Sequence, residues 1–215
     1  MNTRINIPAI RSIEKRNIFL LVVVYIVGMV GTNFDLHEQF WTLTPVNLLF
    51  SLIMVLQAHE HWNNNFVVFA IVCFSTGFLF ELIGVHTGLI FGTYAYGETL
   101  GFKVGGVPLT IGVNWLMLVY SSACVANALF RNPIVKAIFG AALMVLLDFL
   151  IEPVAMAYDF WDWENGIIPI QNYVAWFLIA LFLHSLFQWK FDSTQNRVGW
   201  VLMGLQFLFF ALLLF

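Results

Sequence analysis

The sequence predicts an all-α fold: a polytopic membrane bundle of seven transmembrane helices, N-terminus cytoplasmic and C-terminus outside, in a single integral membrane domain over residues 1–215. Three observations predict it. Residues are 61% hydrophobic and only 10% charged, where a soluble domain carries roughly 25% charged residues, and the mean hydropathy is +0.87. Seven apolar runs approach the roughly 20 residues that a membrane span needs. Basic residues gather on alternate connections between those runs, as the positive-inside rule requires.

The runs are Asn17–Gly31, Thr42–Gln57, Phe66–Val85, Pro108–Phe130, Ile134–Ala157, Asn172–Gln188 and Val198–Phe215. The first follows a polar, basic stretch, Met1–Arg16, and no small-residue cleavage site stands out after it, so a retained span is expected and not a cleaved signal peptide. The first two runs are short, which tilt or a partly interfacial position accommodates. Arg4, Arg11, Lys15 and Arg16 precede span 1, Arg131 and Lys136 flank the turn between spans 4 and 5, and Lys190 and Arg197 lie between spans 6 and 7. With the N-terminus inside, all eight are cytoplasmic and only Lys103 is outside. Asp35, Glu38, Glu98, Asp159, Asp162 and Glu164 collect on the opposite side. The connection Gln57–Asn65, without Lys or Arg, is the exception to the pattern.

Composition also excludes function classes. The net charge of −3 says little about partners because so few charges face water, and no basic patch points to nucleic acid. Cys73 and Cys124 fall inside apolar runs, where small buried hydrophobes are expected and not a disulfide framework. Five scattered histidines do not supply a di-iron site, and no aspartate-rich diphosphate motif or GxGxxG turn is present. Neither a metal nor a cofactor is expected. His59-Glu60-His61 reads most simply as a polar turn, with a weak metal site as the other reading.

Polar residues inside the apolar runs carry the candidate chemistry. Asp148 and Glu152 stand at i,i+4 on one face of span 5, and Glu81 stands in span 3. At about 1.5 Å per residue, Glu81 and Asp148 both lie roughly 20 Å above the cytoplasmic ends of their spans, with Glu152 about 6 Å higher. Asn114 and Trp115 of span 4, Asn172 and Trp176 of span 6 and Asn47 of span 2 fall at similar height. A buried carboxyl is costly unless partnered, so Glu81 and Asp148 form the expected acid–base pair. Glu152, nearer the outer interface and beside Pro153, is equally a structural residue. The asparagines serve equally as interhelical hydrogen-bond glue. His86 suits an interface better than catalysis, and His184 suits buried structure. The long outer connections, Gly88–Val107 and Tyr158–Gln171, are rich in Gly and aromatics and suit either an interfacial belt or an inward-folded lid. Several acids in one low-dielectric pocket permit protonation of an olefin, with aromatic faces to stabilise the cation.

Glu81-Leu-Ile-Gly-Val-His-Thr-Gly-Leu-Ile-Phe-Gly-Thr-Tyr-Ala-Tyr96, Val107-Pro108 leading to Asn114-Trp115, Asp148-Phe-Leu-Ile-Glu-Pro153, Phe160-Trp-Asp-Trp163 and Pro169-Ile-Gln-Asn-Tyr-Val-Ala-Trp176 together resemble the carotenoid biosynthesis protein family, over about Phe66 to His184. The resemblance implies a cofactor-independent integral membrane enzyme that adds water across the terminal C1=C2 bond of an acyclic (ψ) carotenoid end group: a carotenoid 1,2-hydratase. Its acidic motifs fall on Glu81, Asp148 and Glu152, with Asn114, Trp115, Tyr94, Tyr96, His86, Asp162, Asn172 and Trp176 as substrate-binding or supporting residues. The implied partners are a carotenoid substrate, the lipid bilayer of a bacterial-type cytoplasmic (inner) membrane, and other membrane enzymes of the carotenoid pathway. A cofactor-free end-group cyclase or isomerase starts from the same protonation. A proton-coupled carrier or lipid-binding membrane protein is the reading from another class.

Overall fold

The computed structural model describes residues 7–32 and 40–214, with side chains from residue 11 onward in the first segment. Arg4, Asp35, Glu38 and Phe215, which the topology reading uses, lie outside the described residues.

Seven α-helices are present among the described residues: α1 (Ile7–Gly31), α2 (Thr44–Gln57), α3 (Asn64–Thr87), α4 (Thr110–Leu129), α5 (Pro133–Ala157), α6 (Ile170–Phe191) and α7 (Arg197–Leu213). They coincide with the expected runs to within a few residues, except that α1 begins ten residues before Asn17. Its extension is anchored at its inner end: Arg16 donates to Gln57 Oε1 at 2.8 Å, and Asn17 donates to the Met54 carbonyl at 2.8 Å. Side-chain caps mark three starts. Asn63 accepts from the Phe66 N–H, Asn132 from Ile134 and Val135, and Asn196 from Val198 and Gly199. Four helices, α3 to α6, are long and apolar enough to cross a membrane, and the chain is an integral membrane protein. Ile71, Phe149, Leu178 and Phe182 each expose more than half of their surface, as side chains facing acyl chains do.

The bundle is built around α4, of whose 20 residues 16 are buried. It packs against α2, α3, α5, α6 and α7, while α5 and α6 form the most extensive helix pair. The turns at the basic end are stitched by buried side chains. Asn127 donates to the Phe191 and Thr194 carbonyls, Lys136 to the Asp192 carbonyl, and Asn196 to the Val55 carbonyl at 2.8 Å. His59 is part of this stitching: its Nε2 faces the His61 carbonyl, which only accepts, so its Nδ1 accepts from the Tyr120 hydroxyl at 2.8 Å. Both ring nitrogens are thereby engaged within the protein.

The all-α expectation needs one amendment. The two long connections, α3 to α4 and α5 to α6, carry four short strands: β1 (Tyr94–Tyr96), β2 (Lys103–Val104), β3 (Val107–Pro108) and β4 (Trp161–Trp163). β2 and β3 form a hairpin before α4, and β1 pairs antiparallel with β4, joining two connections far apart in sequence. The junction continues past the strands, with Gly97 N–H bonded to the Phe160 carbonyl, Glu98 N–H to Asp159 Oδ2 and Glu164 N–H to the Thr93 carbonyl. Three-residue strands have little stability alone; each exists because the other lies beside it.

One close approach sets the height of the core beneath this cap. Any Cβ on Gly77 would fall on the Trp115 side chain, so the absent side chain creates the slot in which that indole lies. Gly77→Val overpacks the slot and should lower stability by about 1–3 kcal/mol, read as a lowered thermal midpoint in detergent; an unchanged midpoint would show that the indole relocates freely.

Candidate functional site

The β1–β4 register explains the site. Tyr94 lies opposite Trp163, Ala95 opposite Asp162 and Tyr96 opposite Trp161. Side chains alternate across a strand, so Tyr94, Tyr96, Trp161 and Trp163 share one face, and Ala95 and Asp162 point away from it. The four rings pack on one another, with Tyr94 and Trp163 at 4.9 Å and Tyr96 edge-on to Trp161 at 6.0 Å. Each ring carries a polar hydrogen, and each of these hydrogens finds a carboxyl of the helical core.

Glu81, on α3, is 3% exposed. Its Oε2 accepts from the Tyr94 hydroxyl at 2.5 Å and the Tyr96 hydroxyl at 2.7 Å, and its Oε1 accepts from Trp115 Nε1 at 3.3 Å. Trp115 is held by the Gly77 slot and by stacking on Trp176, with ring centroids 4.5 Å apart. Glu152, on α5, is 1% exposed. Its Oε2 accepts from Trp161 Nε1 at 2.9 Å and Trp163 Nε1 at 2.6 Å, and its Oε1 accepts from Asn172 Nδ2 at 2.8 Å. The same Asn172 amide donates to Asp148 Oδ2 at 3.0 Å, while Asp148 Oδ1 is buried without a partner. Asn172 lies in the first turn of α6, so the positive end of that helix dipole adds to the donors around both acids. Every donor on the three carboxyls is neutral.

Glu81 and Glu152 line one cavity with Tyr94, Tyr96, Asn114, Trp115, Trp161, Trp163, Asn172 and Trp176. Its volume, about 20 Å³, is room for about one water, which needs roughly 10–15 Å³ measured in the same way. Carboxylates and aromatic faces around one water-sized space can deliver a proton, hold a cation against π-faces and orient a nucleophilic water.

Several expectations change here. The cavity carboxyls are Glu81 and Glu152; Asp148 does not line it and reaches it only through Asn172. Glu152 is drawn into the site because the β1–β4 cap folds over the C-terminal end of α5, and its oxygens serve the cap indoles and Asn172, not the backbone beside Pro153. Asp162 is exposed because strand alternation turns it outward, and His86 is exposed near the end of α3. Asn47 faces a different cavity, between α1, α2 and α7. His184 is fully buried, its Nδ1 on the Ala180 carbonyl and its Nε2 on the Ser122 hydroxyl, both at 2.8 Å, away from the acids. Trp161 and Trp163 are the site residues that sequence reasoning passed over in favour of Asp162. The signal for them is the matched pattern Tyr-Ala-Tyr and Trp-Asp-Trp, two aromatics two residues apart in both loops.

Outside the helices, burial among the rings, reinforced by the negative charge of Glu81, pushes the Tyr94 and Tyr96 phenols well above the ordinary phenol value; Glu152 adds to the effect on Tyr94. A raised value means the folded protein keeps these protons while an unfolded chain begins to lose them near pH 10. This contribution to stability is complete below about pH 10 and is lost as pH rises above it. Tyrosinate absorbance should therefore rise near that pH by the same amount in the native wild type and in a Tyr94→Phe/Tyr96→Phe double variant, and by two tyrosines more in the wild type once both are denatured. A native double variant with a smaller rise would contradict the geometry.

Comparison with known proteins fits this site to a family. The family model described as carotenoid biosynthesis protein matches residues 43–215, a range that holds the three acids, both long connections and every residue lining the cavity. Bisanhydrobacterioruberin hydratase from Haloarcula japonica is 32% identical over 125 residues, covering 54% of this chain and 43% of that protein. The chain thus spans less than half the length of the curated relative it matches. No solved structure matches the chain. With its acid-lined, aromatic-capped site inside the matched range, the chain belongs to the carotenoid biosynthesis protein family.

Proposed function

We propose that this protein is a carotenoid 1,2-hydratase, adding water across the terminal C1=C2 bond of an acyclic end group. The observation that carries the reading is the pair of buried carboxyls, Glu81 and Glu152, facing each other's cavity under a ring of aromatic side chains. The family membership and the hydratase relative support the substrate class and the reaction.

The roles follow from the neighbours of each acid. Glu152 sits beside a second carboxyl, Asp148, with one amide between them. Two acids so placed without a cation favour holding one proton between the pair, and Glu152 is the one that lines the cavity, so Glu152 is the proton donor and Asp148 its positioning partner. Glu81 has three neutral donors and no acid bonded to it, so it serves as carboxylate and base. Glu152 protonates C2, the C=C π-electrons form the new C–H bond, and a tertiary cation is left at C1. A water held at Glu81 adds its oxygen to C1 and gives a proton to Glu81, and transfer of that proton back to Glu152 through water restores both acids. The aromatic faces stabilise the cation between these steps. Net, one water is consumed and the end group gains a tertiary alcohol without change in any cofactor. The water-sized cavity means that an end group enters only when the β1–β4 cap is displaced, so the cap acts as a lid.

All seven helices are proposed to span the bacterial-type cytoplasmic membrane, with the N-terminus inside and the site near the outer face. The contacts of Arg16, Asn127, Lys136 and Asn196 support this, because they gather the N-terminal half of α1 and the starts of α5 and α7 with the ends of α2, α4 and α6 at the basic end. Coupling to other membrane enzymes of the pathway, which share its insoluble substrates, is part of the same proposal.

The test is expression in cells that accumulate lycopene or γ-carotene, with pigment analysed by mass. The expected product carries one added water whose oxygen comes from isotopically labelled water; an unchanged pigment pool with the protein present in the membrane would overturn the reading, and cyclised pigment of unchanged mass would replace it with a cyclase. Glu81→Gln and Glu152→Gln should each lower conversion by about 10²-fold or more, with Asp148→Asn milder than either. Near-normal turnover in both glutamate variants would remove the proton-transfer assignment.

A further inference from the structure

A second cavity, of about 170 Å³, lies between α1, α2 and α7. Most of its wall is apolar, with Phe209, Phe210 and Leu48 among the lining residues. Two buried side chains that line it each carry one polar atom without a partner: Trp41 Nε1, in a side chain 6% exposed, and Gln206 Oε1, in a side chain 4% exposed whose amide is also bonded to Tyr25. One is a donor only and the other an acceptor only. Leaving both unbonded in an apolar cavity costs free energy. The space is several times what one water fills.

A hydroxyl at the end of an apolar chain satisfies both requirements. It can accept from the Trp41 N–H or donate to the Gln206 carbonyl, while the chain fills the apolar remainder. The cavity also adjoins the acid site. Trp41 stacks on Tyr158 at 4.0 Å and meets Phe160 edge-on at 5.5 Å; Phe160 also lines the cavity, and the next residue, Trp161, bonds Glu152. From these observations we infer that this groove is a binding site for an apolar-chain alcohol, and that the hydrated isoprenoid end is the alcohol it takes. The site's preference for an alcohol stands on Trp41 and Gln206; the identity of that alcohol rests on the hydratase reading.

The test is calorimetric titration of the detergent-purified full chain with dihydromyrcenol, a tertiary terpenoid alcohol, and with the hydrocarbon of the same skeleton, each corrected for titration into protein-free micelles. The wild type should bind the alcohol about fivefold to tenfold more tightly, the effect of a donor or acceptor newly satisfied. Gln206→Leu and, separately, Trp41→Phe should each reduce that preference severalfold while leaving hydrocarbon binding in place; the hydrocarbon also reports that each variant is folded. Equal binding of alcohol and hydrocarbon by the wild type, as in a groove that merely holds a lipid chain, overturns the proposal, as does a preference that survives in both variants. Glu152→Gln should retain the preference. Loss of pigment hydration with the preference intact removes the hydratase reading alone, and equal binding with hydration intact removes the groove alone.

Discussion

Burying three carboxyls without a cation is the constraint on which the rest of this structure depends. An ionised or half-ionised acid in hydrocarbon needs donors, and here all of them are neutral: two phenols, three indoles and one amide. Four of the six come from the β1–β4 cap. Tyr and Trp suit this position because each presents an apolar ring to the bundle and one polar hydrogen at its edge. The cap is therefore held down by the acids as much as by its own backbone pairing, and the acids are tolerated because the cap is down.

The helical framework was largely legible in the sequence. Apolar run lengths and alternating basic connections locate all seven helices, because both signals are local and physical: a minimum length for a span, and a charge that stays with water. Height was legible too, since helical rise per residue is fixed; Glu81, Asp148, Asn114, Trp115, Asn172 and Trp176 do lie near one layer. Azimuth was not. Height alone paired Asp148 with Glu81, whereas the helix rotations and the cap place Glu152 on the cavity and leave Asp148 behind Asn172. Asn47 failed for the same reason, sharing the height but facing the other cavity.

The cap was harder to read because its order is entirely tertiary. Tyr94–Tyr96 and Trp161–Trp163 are too short to announce strands, and they are separated by two helices in the chain. Each gains its conformation from the other and from a carboxyl below. Asp162 stood out as the chemically active type, yet in a strand the residues flanking it share the opposite face. Once the register is known, the two Trp residues are the ones that touch Glu152.

Under the proposed function, selectivity for an apolar reactant would follow from the same constraint. With the cap seated, the space beside Glu81 and Glu152 admits about one water, so the acids exchange protons with little else. Displacing the cap withdraws two donors from each glutamate at once. A polar guest could offer hydrogen bonds in return but would bring water with it, whereas an isoprenoid end excludes water and offers only its π-electrons. In the proposed reaction Glu152, stripped of its two indoles and still beside Asp148 through Asn172, would then have its strongest reason to hold a proton as the olefin arrives. Each glutamate keeps one donor from the helical core, Glu81 the Trp115 indole and Glu152 the Asn172 amide. In the proposed reaction the asymmetry between the two acids therefore lies in Asp148, which shares the Asn172 amide with Glu152 and has no counterpart bonded beside Glu81.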